Sequence, residues 1–145
     1  MKDLAQALKV ALADTYAFSL KSQNYHWNVT GPNFAQYHAF FGDLYGEVNP
    51  AVDLIAEGIR TLNAYSPASF GRFKELSSIE DETKIPETTK MFQNLSSDND
   101  KVLASLTNAY ELAETAKKYG ISNFLQDRIT AHEKHGWMLR SFTKA

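Results

Sequence analysis

The sequence Tyr25-His26-Trp27-Asn28-Val29-Thr30-Gly31-Pro32 separates two long segments in which apolar residues recur every three or four positions. Gly31 and Pro32 interrupt helices, so we predict that one helix ends and the next begins at this stretch. Asn33 is a suitable N-cap for the second helix. A connection this short makes the two helices antiparallel neighbours.

Helical periodicity predicts four long helices, over about residues 2–27, 34–62, 86–120 and 121–142. A short helix fits about residues 69–76, within a long connection between the second and third of them. The other two connections are short, whereas this one can cross the bundle. We therefore predict an all-α, ferritin-like four-helix bundle that forms one domain over residues 1–145, with a long crossover carrying a short helix.

Three features disfavour helix within or between these segments. Pro50 lacks a backbone donor and should kink or loosen the second helix, at a cost of about 3 kcal/mol if nothing compensates. The polar run from Ser96 to Asp100 permits a bend in the third helix. Gly120 is expected at the turn that follows that helix.

Composition excludes several classes of protein. The 145 residues are 43% hydrophobic and carry a net charge of −2, so no strong basic field indicates a nucleic-acid partner. There is no cysteine, which excludes disulfides, thiolate metal sites and cysteine nucleophiles. No run reaches about 18 apolar residues, and the N-terminus lacks the apolar core of a signal peptide. We expect no membrane span and a cytoplasmic location.

Histidine and carboxylate residues on the first two helices indicate a transition-metal site. His26 and His38 lie across the short turn and can approach each other. Asp53 and Glu57 are four residues apart and share one face of the second helix. However, His38 and Asp53 are separated by roughly 22 Å along that helix, so one chain cannot bring both to one metal ion.

The direction of the two carboxylates indicates a second copy of the chain. At about 100° per residue, Asp53 and Glu57 lie about 160° on either side of the core residue Ile55, and so point out of their own bundle. They can meet the histidines of a two-fold partner, which would generate two sites per dimer. The alternative is that the histidines are capping or surface residues and the carboxylates a solvated face. No Glu-x-x-His occurs, which argues against the usual di-iron site inside a bundle.

These residues belong to a longer resemblance to the Dps family (DNA-binding protein from starved cells), the mini-ferritins. The resemblance covers nearly the whole chain. It is carried by Tyr25-His26-Trp27-Asn28-Val29-Thr30-Gly31-Pro32-Asn33-Phe34, His38, Asp53-x-x-x-Glu57-x-Ile59-Arg60, Leu76-Ser77-Ser78-Ile79 and His132-Glu133-Lys134-x-x-Trp137-Met138-Leu139-Arg140.

The resemblance implies a ferroxidase that stores iron in a hollow dodecamer. It would oxidise Fe(II), typically with hydrogen peroxide or else with O2, and keep the ferric mineral inside. The resemblance makes His26 and His38 of one chain, and Asp53 and Glu57 of its mate, iron ligands, with Glu57 as the bridging carboxylate. Trp27 resembles the family's site-adjacent tryptophan, which takes up an oxidising equivalent; a packed aromatic at a helix end is the alternative.

Several residues depart from the family pattern. Many members carry an aspartate four residues after the second histidine, where this chain has Gly42. We therefore expect one firm iron position and one that is weak or completed by water. Pro50 could shift Asp53, which follows it by three residues. Lys117 and Lys118 stand where acidic residues often line the pores, which leaves the route of iron access open.

Four other polar residues have competing interpretations. Asp43 and Glu47 share a helix face and are candidates either for mineral nucleation or for a solvated exterior. His132 lies on the apolar stripe of the last helix and is interpreted as a core histidine with satisfied hydrogen bonds. His135 is interpreted as a surface residue.

DNA binding is the second activity of the family, often through a mobile, lysine-rich tail. Here helical periodicity begins almost at Met1, and only a few residues follow the last helix. We expect weak or no binding of duplex DNA at physiological salt, because affinity comes largely from phosphate neutralisation. A structural or DNA-protecting shell with a degenerate iron site is the alternative function, which Gly42 and Pro50 keep open.

Overall fold

The computed structural model describes residues 1–144, so Ala145 lies outside the described residues. The helices are α1 (Lys2–Asn28), α2 (Phe34–Thr61), α3 (Phe70–Leu76), α4 (Thr88–Thr115) and α5 (Tyr119–Thr143). In the bundle, α1 packs against α2 and α4, and α4 packs against α5, while α2 and α5 share the smallest contact. The predicted all-α bundle, with a short helix in the long crossover, is confirmed. Among residues 1–144, no helix has the length and apolar character needed to span a membrane.

The core of the bundle is built from the apolar stripes that the sequence predicts. Every member of the α1 stripe is buried, namely Leu4, Leu8, Ala11, Thr15, Phe18, Ser22 and Tyr25. The stripes of α2, α4 and α5 join its apolar side chains in one hydrophobic cluster. Burial of one Leu or Phe contributes about 1.5–3 kcal/mol, so the stripes account for most of the attachment between the helices.

The polar run from Ser96 to Asp100 lies within α4, which continues through it without interruption. Asp98 accepts a hydrogen bond from Lys21 of α1, with Nζ and Oδ2 2.7 Å apart. Asn99 is fully buried and bonds to α5 through both polar atoms of its amide. Because these two side chains bond to neighbouring helices, they do not compete for the backbone of α4.

The second helix continues through Pro50 without a break, and a kink or local loosening at this residue stays a prediction. Pro50 is exposed, and the residue beside it, Asn49, donates a hydrogen bond to Ser19 Oγ at 3.2 Å. This contact ties the proline-containing turn of α2 to α1.

The turn between α4 and α5 is made by Lys117, whose φ is +58°, and not by Gly120, which lies within α5. The Lys118 N–H bonds back to the Ala113 carbonyl at 2.9 Å, as in a Schellman motif. Backbone hydrogen bonds therefore hold a lysine in a conformation that usually selects glycine.

One buried carboxylate fixes the crossover to α1. Asp14 is 1% exposed, and its Oδ1 accepts hydrogen bonds from the Ser77 hydroxyl and the Ser78 backbone N–H, both at 2.8 Å. Phe73 of α3 stacks on Tyr16, with ring centroids 4.6 Å apart. These contacts lay α3 along α1.

Candidate metal centre

Two histidines meet where α1 ends and α2 begins. The imidazole rings of His26 and His38 are stacked, with centroids 3.9 Å apart and planes 12° from parallel. His26 Nδ1 lies 2.7 Å from the carbonyl oxygen of His38, and His38 Nδ1 lies 2.6 Å from the carbonyl oxygen of His26. The short turn therefore brings together the two histidines that the sequence singles out.

These reciprocal hydrogen bonds decide which ring nitrogens are available to a metal ion. A carbonyl oxygen only accepts, so Nδ1 of each histidine carries the proton and donates it. Nε2 of each neutral ring then keeps its lone pair, which is the form that binds metal ions. Histidine ligands usually donate their other N–H in this way, which fixes the orientation of the ring. The reciprocal hydrogen bonds thus fix both rings and leave their Nε2 atoms as the nitrogens available to a metal ion.

Gly42 provides the space that the His26 ring occupies. A Cβ atom at this position would lie 2.7 Å from His26 Cε1 and 2.9 Å from its Nδ1. Atoms do not approach so closely without displacement, so any side chain at residue 42 would move the ring. Phe34 stacks on the other histidine, His38, with ring centroids 5.0 Å apart. The absence of a side chain at residue 42 is thus part of the geometry of the histidine pair.

The carboxylates of Asp53 and Glu57 are exposed and lie far from these histidines. Neither carboxylate forms an ion pair with any of residues 1–144. Because α2 is uninterrupted, its rise of about 1.5 Å per residue separates His38 from Asp53 by roughly 22 Å. Within the same described residues, no three His, Asp or Glu side chains are close enough to hold a metal ion. One chain unites the histidines but does not bring the carboxylates to them.

A third acid of α2, Glu47, is bound within its own chain. Arg128 of α5 donates to both Glu47 oxygens, at 2.6 and 2.9 Å, and His135 Nε2 lies 2.6 Å from Oε1. Burial disfavours the Glu47 carboxylate, but hydrogen bonds from His135 and Arg128 outweigh it and lower the pKa of Glu47 to about 2. The interpretation of His135 as a surface residue is wrong, because it is only 8% exposed. Glu47 cross-links α2 to α5 and is not a free acid.

The interpretation of His132 as a satisfied core histidine is confirmed. Its Nδ1 donates to Asn99 Oδ1 at 2.8 Å, and Arg128 donates to its Nε2 at 3.2 Å. Burial and the charge of Arg128 lower the pKa of His132 to about 3, so the ring stays neutral. Arg128, His132 and His135 follow at spacings of four and three residues, which is the sequence signal that they share one face of α5.

The aromatic residues on either side of His26 lie in opposite environments. Trp27 is 64% exposed and lines an open groove of about 760 Å³ that also contacts Phe70. Tyr25 is fully buried, and its hydroxyl donates to Glu82 Oε1 at 2.6 Å. Burial and the Glu82 carboxylate raise the pKa of the Tyr25 phenol. Of these two aromatic side chains, Trp27 is the one accessible to solutes or to a neighbouring chain.

The chain is similar in sequence and in structure to ferritin-like proteins. The ferritin-like domain family matches residues 5–145. The chain is 31% identical, over 141 residues and 97% of both proteins, to DNA protection during starvation protein 2 of Bacillus anthracis. Its structure matches that of Dps from Staphylococcus aureus with a TM-score of 0.94 and 28% identity, covering 100% of this chain and 97% of that one.

A second solved structure shows the same similarity. The Dps protein of Vibrio cholerae O1 matches with a TM-score of 0.94 and 31% identity, over 99% of this chain and 90% of that one. That protein is described as a member of a broad superfamily of ferritin-like diiron-carboxylate proteins. Agreement along nearly the whole chain shows that this protein belongs to the Dps family of ferritin-like proteins.

Proposed function

We propose that this protein is a ferroxidase mini-ferritin, which binds Fe(II), oxidises it and stores the ferric product in a hollow shell of twelve chains. The observation that carries the proposal is the separation of two donor sets. The stacked pair His26–His38 and the outward pair Asp53–Glu57 each lack a complementary set within residues 1–144. The diiron-carboxylate relative from Vibrio cholerae supports iron as the metal.

A two-fold dimer would complete two such sites. Each site would take the two Nε2 atoms of His26 and His38 from one chain, and the carboxylates of Asp53 and Glu57 from its mate. Imidazole nitrogens and carboxylate oxygens together suit Fe(II). Since Gly42 leaves no acid beside the histidines, one iron position is firm, and a second relies on Glu57 as a bridge and on water.

The chemistry needs little beyond charge and placement. Two carboxylates stabilise Fe(III) more than Fe(II), because the higher charge gains more from the same two anions. With hydrogen peroxide, two Fe(II) give one electron each, and the peroxide takes both electrons with two protons to form two waters. No hydroxyl radical is released in that reaction. Trp27, which is exposed and follows His26 in the chain, would supply an electron when only one iron is bound.

The second candidate function is a structural or DNA-protecting shell with a degenerate iron site. The name of the relative from Bacillus anthracis favours it, as does the glycine at residue 42. The net charge of −2 argues against strong binding to duplex DNA through phosphate neutralisation.

The two candidates separate in a complementation experiment. His38→Ala and Asp53→Ala are made singly, with Asp127→Ala, an exposed acid on α5, as the matched control. Ferrous oxidation with stepwise peroxide is followed by ferric absorbance after separation by size. For the ferroxidase, we expect both single variants to lose oxidation and Asp127→Ala to retain it.

Co-expression of the two inactive chains then tests whether the site is shared. Random pairing makes about half of the dimers mixed, and each mixed dimer has one intact site of two, so about one quarter of wild-type oxidation should return. No recovery would overturn a site shared between chains. If wild-type protein forms a particle of twelve chains that elutes without iron, the shell function is favoured instead.

A further inference from the structure

Arg60 is the only lysine or arginine of α2, and it follows the proposed ligand Glu57 by three residues. Residues at this spacing are neighbours on a helix surface, with about 5–6 Å between their Cβ atoms. An arginine there is within reach of the carboxylate and can form a charge-assisted hydrogen bond with it. Such a pair would occupy an oxygen atom that a metal ion needs.

The guanidinium of Arg60 is bound elsewhere. Its Nη1 donates to the carbonyl oxygen of Ala64 at 3.2 Å. Its Cζ lies over the ring of Tyr65, 4.6 Å from the centroid, where the negative face of the ring attracts a cation. Within residues 1–144, Glu57 correspondingly forms no ion pair.

The chain reversal after α2 creates this contact. Asn63 has a φ of +62°, which asparagine tolerates better than most residues, and its N–H bonds to the Arg60 carbonyl at 3.0 Å. The reversal returns Ala64 and Tyr65 to the last turn of the helix. Tyr65 is 82% exposed, so its ring adds nothing to the bundle core. No periodicity or motif in the sequence predicts the contact.

We propose that the segment Asn63–Tyr65 is a restraint that withholds Arg60 from Glu57 and so leaves this carboxylate free for ferrous iron. The inference rests on the proposed function, because it takes Glu57 as an iron ligand. With Arg60 restrained, Asp53 and Glu57 offer two uncompensated negative charges. With Arg60 released, one of these charges is neutralised. Arg60 and Tyr65 are therefore positioning residues that set the affinity for the metal ion, not the fold.

Four variants test the restraint by anaerobic titration with ferrous iron. Tyr65→Ala should weaken binding by about three- to tenfold, because the released guanidinium competes for Glu57. Tyr65→Phe is the matched control and should bind like wild type, since it keeps the ring face. Arg60→Gln should bind at least as well as wild type. The double variant Tyr65→Ala/Arg60→Gln should recover wild-type affinity, which a merely structural loss at residue 65 would not allow.

A crystal structure of metal-free Tyr65→Ala gives a readout that is independent of iron. The guanidinium of Arg60 should lie within about 4 Å of the Glu57 carboxylate. Wild-type affinity in Tyr65→Ala, or a double variant that stays weak, would overturn the restraint. If wild-type protein binds no ferrous iron, the proposed function fails, while movement of Arg60 towards Glu57 in the crystal would still support the restraint.

Discussion

Helix α2 presents acids in two opposite electrostatic situations. Glu47 is bound by Arg128 and His135 from α5 of the same chain. Asp53 and Glu57, about two to three turns further along, have no cation partner within residues 1–144. The first acid links α2 to α5 within the chain, whereas the second pair carries charge that no cationic side chain among residues 1–144 neutralises in this structure.

The difference shows why the number of acids on a helix says little about metal binding. Glu47 lies where α5 supplies Arg128 and His135 as hydrogen-bond partners, so its carboxylate already holds two helices together. The one arginine of α2, Arg60, forms no ion pair with Asp53 or Glu57, because its guanidinium stacks on Tyr65. A pair of uncompensated carboxylates one helical turn apart indicates a bound cation, and Asp53 and Glu57 form such a pair.

The distinction between Glu47 and the outward pair predicts that the two kinds of acid respond differently when their charge is removed. Glu47→Gln leaves Arg128, which is 7% exposed, without its counter-charge. We expect the free energy of unfolding to fall by about 2–3 kcal/mol, less than for a fully buried pair, because the Glu47 side chain is 41% exposed. For Glu57→Gln, the free energy of unfolding measured in urea should lie within about 0.5 kcal/mol of the wild-type value. Ferrous oxidation should fall more in Glu57→Gln than in Glu47→Gln. Equal losses of stability in the two variants would contradict the distinction.

The pH dependence of the free energy of unfolding tests the contribution of Glu47. Its folded pKa of about 2 lies below the ordinary 4.5, so its stabilisation is complete above pH 4.5 and is lost as the pH falls towards 2. A single group contributes at most about 1.4 kcal/mol per pH unit to the slope, and a partly exposed one contributes less. Urea unfolding at several pH values should therefore give a flatter slope below pH 4.5 for Glu47→Gln than for wild type.

His132 supplies a second acid-dependent component, which Glu47→Gln retains. Its folded pKa of about 3 lies below the ordinary 6.5, so the unfolded chain takes up a proton that the native chain refuses. Stability therefore falls as the pH drops below 6.5, in wild type and variant alike. If the free energy of unfolding has the same pH slope in the two proteins between pH 4.5 and 2, Glu47 does not contribute to the loss of stability in acid.

Substitution of two glycines of α2 tests whether the orientation of the His26 ring matters for ferrous binding. Gly42→Ala places a Cβ 2.7 Å from His26 Cε1 and should turn the ring, so we expect ferrous binding to weaken by about threefold to tenfold. Gly46→Ala is the matched control, because its Cβ meets nothing within 4 Å of it in the chain. The control should keep its affinity and gain up to about 1 kcal/mol of helix stability. Equal affinity of the two variants in calorimetric titration would show that the His26 orientation does not matter.

The helices could be predicted from the sequence because their stripes depend on local periodicity and burial. The continuity of α4 through its polar run could not be predicted, since the partners of Asp98 and Asn99 come from α1 and α5. At Lys117 the cause is local, because backbone hydrogen bonds to Glu114 and Ala113 override the preference for glycine. Long-range partners decide the polar run of α4, and local backbone hydrogen bonds decide the turn at Lys117, so residue propensity predicts neither.

For the candidate site, spacing along one helix was sufficient to separate His38 from Asp53 and to direct the carboxylates outward. The stack of His26 on His38 depends on the directions of their own backbone carbonyls in α1 and α2, which no residue pattern encodes. Helical spacing on α5 places Arg128 and His135 on one face, but it does not say that Glu47 lies opposite. That His26, His38, Asp53 and Glu57 bind iron stays a prediction.

The carboxylate of Asp14 has a consequence for the order of folding. It joins α1 to hydrogen-bond donors 63 and 64 residues away, whereas α1–α2 and α4–α5 are pairs of sequence neighbours. Closing a long loop costs conformational entropy, which only contacts formed afterwards can offset. The two helical hairpins should therefore form first and the Asp14 contacts last. Contacts absent from the transition state act on the unfolding rate. Asp14 should therefore govern how long the native chain persists, with little influence on how quickly it forms.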